Sequence, residues 1–177
     1  MEEFKQYYGR LVIKYKKSSQ QQGRFYKSLH QELIVQQILS DVFDGDEFPG
    51  YDKVKLSHQQ LFNIIDRSKR DWMAALENQK AVYLITDKNN GKQYVGSATS
   101  RGKMLLDRWT SYAKNGHGGN TKLVALINGK GIEYIKEHFQ YTILENYNGK
   151  VDDDVILKRE VYWKEVLQSR KFDYNAN

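Results

Sequence analysis

The chain has 177 residues, 40% of them hydrophobic and 28% charged, so we expect a globular protein of one or two domains. It has no cysteine, no apolar run long enough to span a bilayer and no signal core at its N-terminus. Disulfides and thiolate metal sites are therefore excluded, and we expect a cytoplasmic protein with no membrane contact. The net charge of +6 and the pI of about 9.3 are compatible with a nucleic-acid partner, although ordinary surface charge explains the same excess.

The positive charge is concentrated at the N-terminus. Residues 1–30 hold seven Lys or Arg against two Glu, whereas residues 41–52 hold five acidic residues and no base. A basic segment of this kind favours contact with phosphates, because each neutralised phosphate releases counterions. The candidate DNA-binding residues of this segment are Lys14, Lys16, Lys17 and Arg24.

The first eighty residues mix helical and strand-like patterns. Ser57 and Gln60 form a capping box, which predicts that a helix begins at residue 58. The other elements expected here are a half-buried strand at 11–15, a return strand at 24–26, a helix at 29–43, a strand at 51–56 and a short helix at 72–76. We expect a boundary near residue 79, without a flexible linker.

The remaining residues predict a ββααβα order. The apolar run 81–86 and the segment 93–96 predict two strands joined by a turn at 87–91, with Tyr83 opposite Tyr94. Helices at 103–114 and 120–127, a third strand at 139–144 and a helix from 152–154 to about 169 follow. The predicted fold class is α/β (α+β): a three-stranded, mostly antiparallel sheet flanked by helices, with a mixed N-terminal α/β extension.

Two charged residues lie on the apolar faces of predicted helices. Glu160 shares a helix face with Ile156 and Trp163. Arg108 shares a face of another helix with Leu105 and Tyr112. A carboxylate aimed at a core needs a partner or a metal, and a guanidinium there can clamp a phosphate. The alternatives are that Glu160 reaches solvent or pairs with a neighbouring Lys or Arg, and that the Arg108 stem only packs on the core.

Other candidate residues say little by themselves. Tyr83 and Tyr94 are typical core aromatics, and Asn175 is typical of a turn. His117, in a glycine-rich loop, is a weak candidate for a metal ligand because the four histidines show no metal-ligand spacing.

Taken together, these residues resemble the GIY-YIG nuclease family over residues 80–177. AVY at 81–83 and YVG at 94–96 stand for the two signature tripeptides, with Ala and Val replacing Gly and Ile in the first. Three segments match the arginine, glutamate and asparagine of the family in order: the helix with Arg108, Trp109 and Tyr112, the segment REVYWKEVL with Glu160, and the ending FDYNAN. We assign the role of the family's asparagine to Asn175. Asn177 is the less favoured candidate.

The resemblance implies a DNA endonuclease that depends on one divalent ion per site, Mg²⁺ or Mn²⁺, and leaves 5′-phosphate and 3′-hydroxyl ends. Glu160 would bind the metal and Arg108 would stabilise the transition state. Tyr83 would hold or deprotonate the attacking water, with Lys92 or Lys103 lowering the pKa of its hydroxyl. Tyr94 would orient water or phosphate and Asn175 would fix the geometry, with Tyr112 and His117 as supporting residues.

The resemblance leaves several alternatives open. The expected partner is duplex DNA, which a monomer or a homodimer would cut. The expected biological setting is restriction, a phage or a mobile element. The alternatives are a non-catalytic DNA-binding or assembly module with the same fold, and a structure-specific repair nuclease. By analogy with similar proteins, residues 1–79 would serve DNA binding or sequence choice, or else cover the sheet as a structural extension.

Overall fold

The computed structural model describes Tyr7 and residues 10–14, 33–38 and 47–175. By packing, the chain divides into two compact units, Met1–Asp44 and Gly45–Asn177. The second unit begins well before residue 79, where we expected a boundary. Residues 54–76 contribute Trp72 and Leu76 to the same core as Tyr83, so they are part of this unit.

The described part of the first unit is an antiparallel pair of strands, β1 (Leu11–Lys14) and β2 (Ile34–Ile38), with an irregularity between Val12 and Ile13. The strand predicted at 11–15 is confirmed over 11–14. The helix predicted at 29–43 is wrong over 34–38, because a short run of β-branched and apolar residues satisfies either period and here it pairs with β1. The return strand expected at 24–26 lies outside the described residues.

The second unit is an α+β domain. Its strands are β3 (Lys55–Ser57), β4 (Gln79–Asp87), β5 (Gln93–Ala98) and β6 (Phe139–Asn148). Its helices are α1 (His58–Asp66), α2 (Arg70–Leu76), α3 (Leu105–Asn115), α4 (Thr121–Lys130), α5 (Ile132–His138), α6 (Asp153–Val166) and α7 (Ser169–Phe172). A 3₁₀ turn at Tyr51–Lys53 precedes β3, so only the end of the strand predicted at 51–56 is extended. Among the described residues, none of these helices is long and apolar enough to cross a membrane.

The sheet has four antiparallel strands in the order β3-β6-β4-β5. The prediction of an antiparallel sheet flanked by helices is confirmed, but the strand count of three is wrong. The fourth strand is β3, which pairs through Leu56 with Tyr141 of β6. β5 forms the other edge of the sheet.

The β4–β5 hairpin has a longer turn than the sequence predicted. The Asp87 N–H donates to the Lys92 carbonyl at 2.8 Å, and Gly91 turns the chain with a φ of +76°. Tyr83 therefore pairs with Gly96, and Ile85 with Tyr94, instead of Tyr83 with Tyr94. Because the shift is two residues, every side chain stays on its predicted face.

The two faces of the sheet bury different residues. Tyr83 and Tyr94 belong to the larger core, which also contains Trp109 of α3. Val82 and Val95 point to the opposite face and pack with Ile156 of α6. Helices α3 and α6 therefore sit on opposite faces of the sheet.

Two predicted helix starts are confirmed. The side chain of Ser57 accepts from the Gln60 N–H and completes the capping box, and Asn120 accepts from the Leu123 N–H at the start of α4. Helix α5 was not predicted, because it is only seven residues long and begins directly after Gly131 at φ +81°.

Candidate active site

On the α3 face, a guanidinium rests on two buried phenols. Arg108 Nε donates to the Tyr83 hydroxyl at 3.0 Å, and the hydroxyls of Tyr83 and Tyr112 are 3.1 Å apart. Tyr83 and Tyr112 are fully buried, and this burial raises the pKa of each hydroxyl above its usual value. Both phenols are therefore neutral near pH 7. The Tyr83 hydroxyl accepts from the half-buried Arg108, and the Tyr112 ring centroid lies 5.9 Å from the guanidinium carbon.

Two glycines make room for these rings. A Cβ at Gly96 would lie 2.4 Å from the Tyr83 hydroxyl oxygen, so only glycine lets the ring cross β5. Gly118 has a φ of +53°, and a Cβ there would lie 2.5 Å from the Tyr112 ring. The Gly118 carbonyl also accepts from Arg108 Nη1 at 3.4 Å. The second glycine thus shapes the pocket around Arg108 and contacts it directly.

Tyr94 borders the same cluster. Its ring centroid lies 6.4 Å from those of Tyr83 and Tyr112, and 7% of the residue is exposed. Its hydroxyl has no hydrogen-bond partner among the described residues, unlike those of the other two tyrosines. Tyr94 is therefore the phenol of this cluster that is free to bind a water or a phosphate.

On the α6 face, Glu160 is held at both carboxylate oxygens. Ser97 Oγ donates to Oε2 at 2.5 Å, and Lys164 Nζ, one helical turn further along α6, lies 2.7 Å from Oε1. The side chains are 14% exposed for Glu160 and 7% for Lys164. The expectation that Glu160 points toward the sheet is confirmed, and so is the alternative that it pairs with a neighbouring lysine.

The two halves of the site approach each other at the β5 edge of the sheet. A cleft of about 620 Å³ there is lined by Arg108, by Ser97 and by residues Ala98, Thr99, Arg101, Gly102, Met104, Asp107, Ser111, Asp153 and Leu157. Arg108 reaches the cleft directly, whereas Glu160 is one hydrogen bond behind it, through Ser97. A phosphate in this cleft would therefore lie close to the Arg108 guanidinium and to the Ser97 hydroxyl.

The side chain of Asn175 is hydrogen-bonded to strand β5 beside the site. The residue is fully buried, its Oδ1 accepts from the Val95 N–H at 2.9 Å and its Nδ2 donates to the Val95 carbonyl at 2.8 Å. The Tyr174 N–H donates to the Gln93 carbonyl at 2.9 Å. The C-terminal segment thus completes the edge of β5 and holds the strand that carries Tyr94 and Gly96. Asn177 lies outside the described residues.

The remaining sequence candidates lie apart from the cluster. Lys103 pairs with Glu77 at 3.1 Å, and Lys92 lies 5.8 Å from the Tyr174 ring, so the positive charge at the Tyr83 hydroxyl comes from Arg108 and not from either lysine. His117 accepts from the Gly119 N–H within its own loop.

Of the basic N-terminal candidates, the structure describes one. Lys14 is exposed on β1, and Lys16, Lys17 and Arg24 lie outside the described residues.

The oxygen donors beside the cleft fit a small, hard cation. Within the described ranges, no group of three or more His, Cys, Asp or Glu is placed to bind a metal. Glu160 supplies a single carboxylate, with the Ser97 hydroxyl beside it. One carboxylate together with water and substrate oxygens is an ordinary set for Mg²⁺, so Glu160 is the residue that would hold such an ion.

Sequence reasoning missed Ser97 and Lys164. The spacing of Glu160 and Lys164, four residues apart on a helix, is itself a signal for an ion pair. The position of Ser97, directly after the YVG tripeptide on the α6 face of β5, left no comparable signal, because its contact depends on how α6 packs.

The chain is similar in sequence to a known family. The family model of the GIY-YIG catalytic domain matches residues 79–175, which is 97 of 177 positions. The structures of similar sequence include the catalytic domain of homing endonuclease I-TevI, at 30% identity over 55% of this chain and 98% of that one, with a TM-score of 0.41. A mutant of the catalytic domain of intron endonuclease I-TevI matches at 27% identity over 56% of this chain and 94% of that one, with a TM-score of 0.43. No curated protein matches the sequence.

Proposed function

Because this chain belongs to the GIY-YIG family of nucleases, we propose that it is a divalent-metal-dependent DNA endonuclease. It hydrolyses phosphodiester bonds to leave a 5′-phosphate and a 3′-hydroxyl. The observation that carries the proposal is the cleft at the β5 edge. It is lined by Arg108 and by Ser97, and the Ser97 hydroxyl donates a hydrogen bond to Glu160. A fixed guanidinium in a cleft, with a carboxylate one hydrogen bond behind its wall, suits a reaction that builds negative charge on a phosphate.

Arg108 stabilises the charge that develops on the scissile phosphate. Its Nε donates to the Tyr83 hydroxyl and its Nη1 to the Gly118 carbonyl, and the side chain lines the cleft. Since the two buried phenols are neutral, they orient the guanidinium without cancelling its charge. Such pre-orientation lets the charge act without reorganisation when the transition state forms.

The geometry favours Tyr94 over Tyr83 as the group that contacts the attacking water. The Tyr83 hydroxyl is fully buried, is occupied by Arg108 and Tyr112, and has a raised pKa, all of which oppose its role as a base. Tyr83 is therefore a positioning residue for Arg108. Tyr94, with its unpartnered hydroxyl, orients the water.

Glu160 would hold one Mg²⁺ or Mn²⁺ ion. When bound, the ion supplies charge that stabilises the departing 3′ oxygen. The contribution of the protein is to keep the carboxylate oriented, through the Ser97 hydroxyl and the partly buried setting of α6.

A second feature of the β5 edge supports a DNA strand as the substrate. A groove of about 550 Å³ near Gln93 is lined by Lys92, Lys122 and Lys171, with a single carboxylate, Asp173. Exposed Phe172 lies beside them. Lysines and an exposed aromatic ring are the groups that contact phosphates and bases. Residues 93 and 97 are four positions apart, about 13 Å along a strand, which corresponds to roughly four nucleotides of duplex rise.

The assignment of the N-terminal region to DNA binding is part of the same proposal. Exposed Lys14 and the basic residues around it in the sequence support it, because phosphate contacts need exposed cations.

Incubation with supercoiled plasmid, with and without Mg²⁺, tests the function. We expect Mg²⁺-dependent nicking or linearisation by the wild type, with 5′-phosphate ends on mapping. Glu160→Gln should lower the rate by at least about 10²-fold, since it keeps the volume and removes the charge that holds the ion. Glu165→Gln, an exposed glutamate on the same helix, is the matched control and should cut normally. DNA binding without cleavage by the wild type would instead identify a binding module.

A further inference from the structure

Lys164 is a buried cation placed on the one carboxylate that would bind the metal. Its Nζ lies 2.7 Å from Glu160 Oε1, and its side chain is 7% exposed, less than the 14% of its partner. An ammonium is kept from water only where a negative charge compensates it, so Glu160 and Lys164 hold each other in place.

In this pairing both oxygens of Glu160 already have a protein partner. Oε1 faces the Lys164 ammonium and Oε2 accepts from Ser97 Oγ, and both partners belong to the folded domain. A divalent ion that binds Oε1 through its remaining lone pair would lie close to the ammonium. It must either displace the lysine or bind beside it against the repulsion of a unit charge.

We propose that Lys164 is a positioning residue that keeps Glu160 oriented before metal arrives and lowers the affinity of the free protein for the ion. The inference rests on the proposed function, because it takes Glu160 as the metal ligand. The consequence for the reaction is that the ion binds tightly only when a DNA phosphate adds its negative charge to the cleft. Metal occupancy thereby depends on the substrate.

Mn²⁺ titration of the protein alone tests this, followed by the free-ion electron paramagnetic resonance signal. Lys164→Met keeps the length of the side chain and removes its charge. We expect it to bind Mn²⁺ at least about tenfold more tightly than the wild type, since the competing charge is gone. Lys164→Arg, which restores a cation, should return the affinity to within about threefold of the wild type. Lys158→Met, an exposed lysine on the same helix, is the matched control and should leave the affinity unchanged.

Thermal unfolding gives a second readout. Without metal, Lys164→Met leaves Glu160 partly buried and unpaired, so its midpoint should fall by about 3–6 °C. Saturating Mn²⁺ should restore most of this loss, whereas the wild type should gain little. The double variant Glu160→Gln with Lys164→Met should show no response to Mn²⁺. If Lys164→Met does not fold, Lys164→Gln takes its place in both measurements.

The outcomes separate this inference from the proposed function. Equal or weaker Mn²⁺ affinity in Lys164→Met overturns the role of Lys164, even if the wild type cuts plasmid. Undiminished Mn²⁺ binding by Glu160→Gln also overturns it, because the ion would then lie elsewhere. Tighter binding in Lys164→Met, abolished by adding Glu160→Gln, supports the inference even where no cleavage of DNA is found.

Discussion

The α3 face and the α6 face of the sheet hold their charged residues by opposite means. On the α3 face, Arg108 is supported by neutral phenols, with the Tyr83 hydroxyl 3.0 Å from Nε. On the α6 face, Glu160 is paired with an opposite charge, Lys164 at 2.7 Å. Neutral donors and acceptors leave the charge of the guanidinium available to a ligand, whereas an ion pair cancels the charge of the carboxylate until another cation replaces its partner.

This contrast assigns different tasks to the two faces. The α3 face is already complete: glycines at 96 and 118 let the rings of Tyr83 and Tyr112 pack without gaps, and the guanidinium is fixed. On the α6 face both oxygens of Glu160 have partners, Lys164 and Ser97, and the proposed metal binding would compete with the Lys164 contact. Substitutions on the α3 face should therefore damage geometry or catalysis directly, and those at Lys164 should change metal binding.

The largest effect is expected at Arg108 itself. Arg108→Lys keeps the charge but loses the planar fork and the Nε that Tyr83 holds. We expect the rate at saturating DNA to fall by about 10²–10³-fold with little change in stability. Arg70→Lys, an exposed arginine on α2, is the control. Near-normal turnover by Arg108→Lys would show that the α3 face serves as a structural cation site only.

Gly96→Ala should break the α3 face through packing. The new Cβ would lie 2.4 Å from the Tyr83 hydroxyl oxygen, so the ring must move and release Arg108. We expect the free energy of unfolding, from urea denaturation, to drop by about 1–3 kcal/mol. Gly129→Ala, in helix α4 with no atom within 4 Å of the added Cβ, should instead raise stability by up to about 1 kcal/mol. Equal stability of Gly96→Ala and the wild type would contradict the packing of Tyr83 across β5.

Tyr83→Phe sharpens the distinction between a positioning phenol and a base. The variant leaves Arg108 Nε without its acceptor, and we expect about a tenfold loss of rate with the pH profile of the rate unchanged in shape. Loss of the pH dependence in this variant would identify Tyr83 as the base instead.

The stability of Tyr83→Phe at alkaline pH gives a second test. The folded pKa of Tyr83 is raised above the unfolded value of 10.0, so its contribution to stability is fully present below pH 10 and is lost as the pH rises through the folded pKa. The free energy of unfolding should therefore decline above about pH 10 in the wild type, and less steeply in Tyr83→Phe. An identical decline in both proteins would count against the burial of this hydroxyl.

The residues by themselves determined the type of domain and named the candidates for its site. Helical spacing placed Glu160 and Arg108 on inward faces, and an apolar run followed by a turn predicted β4 and β5. The order of the tyrosines, arginine, glutamate and asparagine pointed to the family that the chain belongs to. The capping residues Ser57 and Asn120 marked helix starts correctly, because a cap is a contact over three residues.

Tertiary structure decided what depends on contacts distant in the sequence. The strand at 34–38 forms because it pairs with β1, against its helical spacing, and β3 joins the sheet through β6, more than eighty residues away. The hairpin register depended on the length of the turn at 88–92.

The roles within the site were decided in the same way. Asn175 is hydrogen-bonded to the Val95 backbone, and the Tyr83 hydroxyl accepts from Arg108. Ser97 donates to Glu160 across a helix–sheet interface. A residue type states which chemistry it can perform. Burial and neighbours, which only the folded chain supplies, determine which of those chemistries remains open to it.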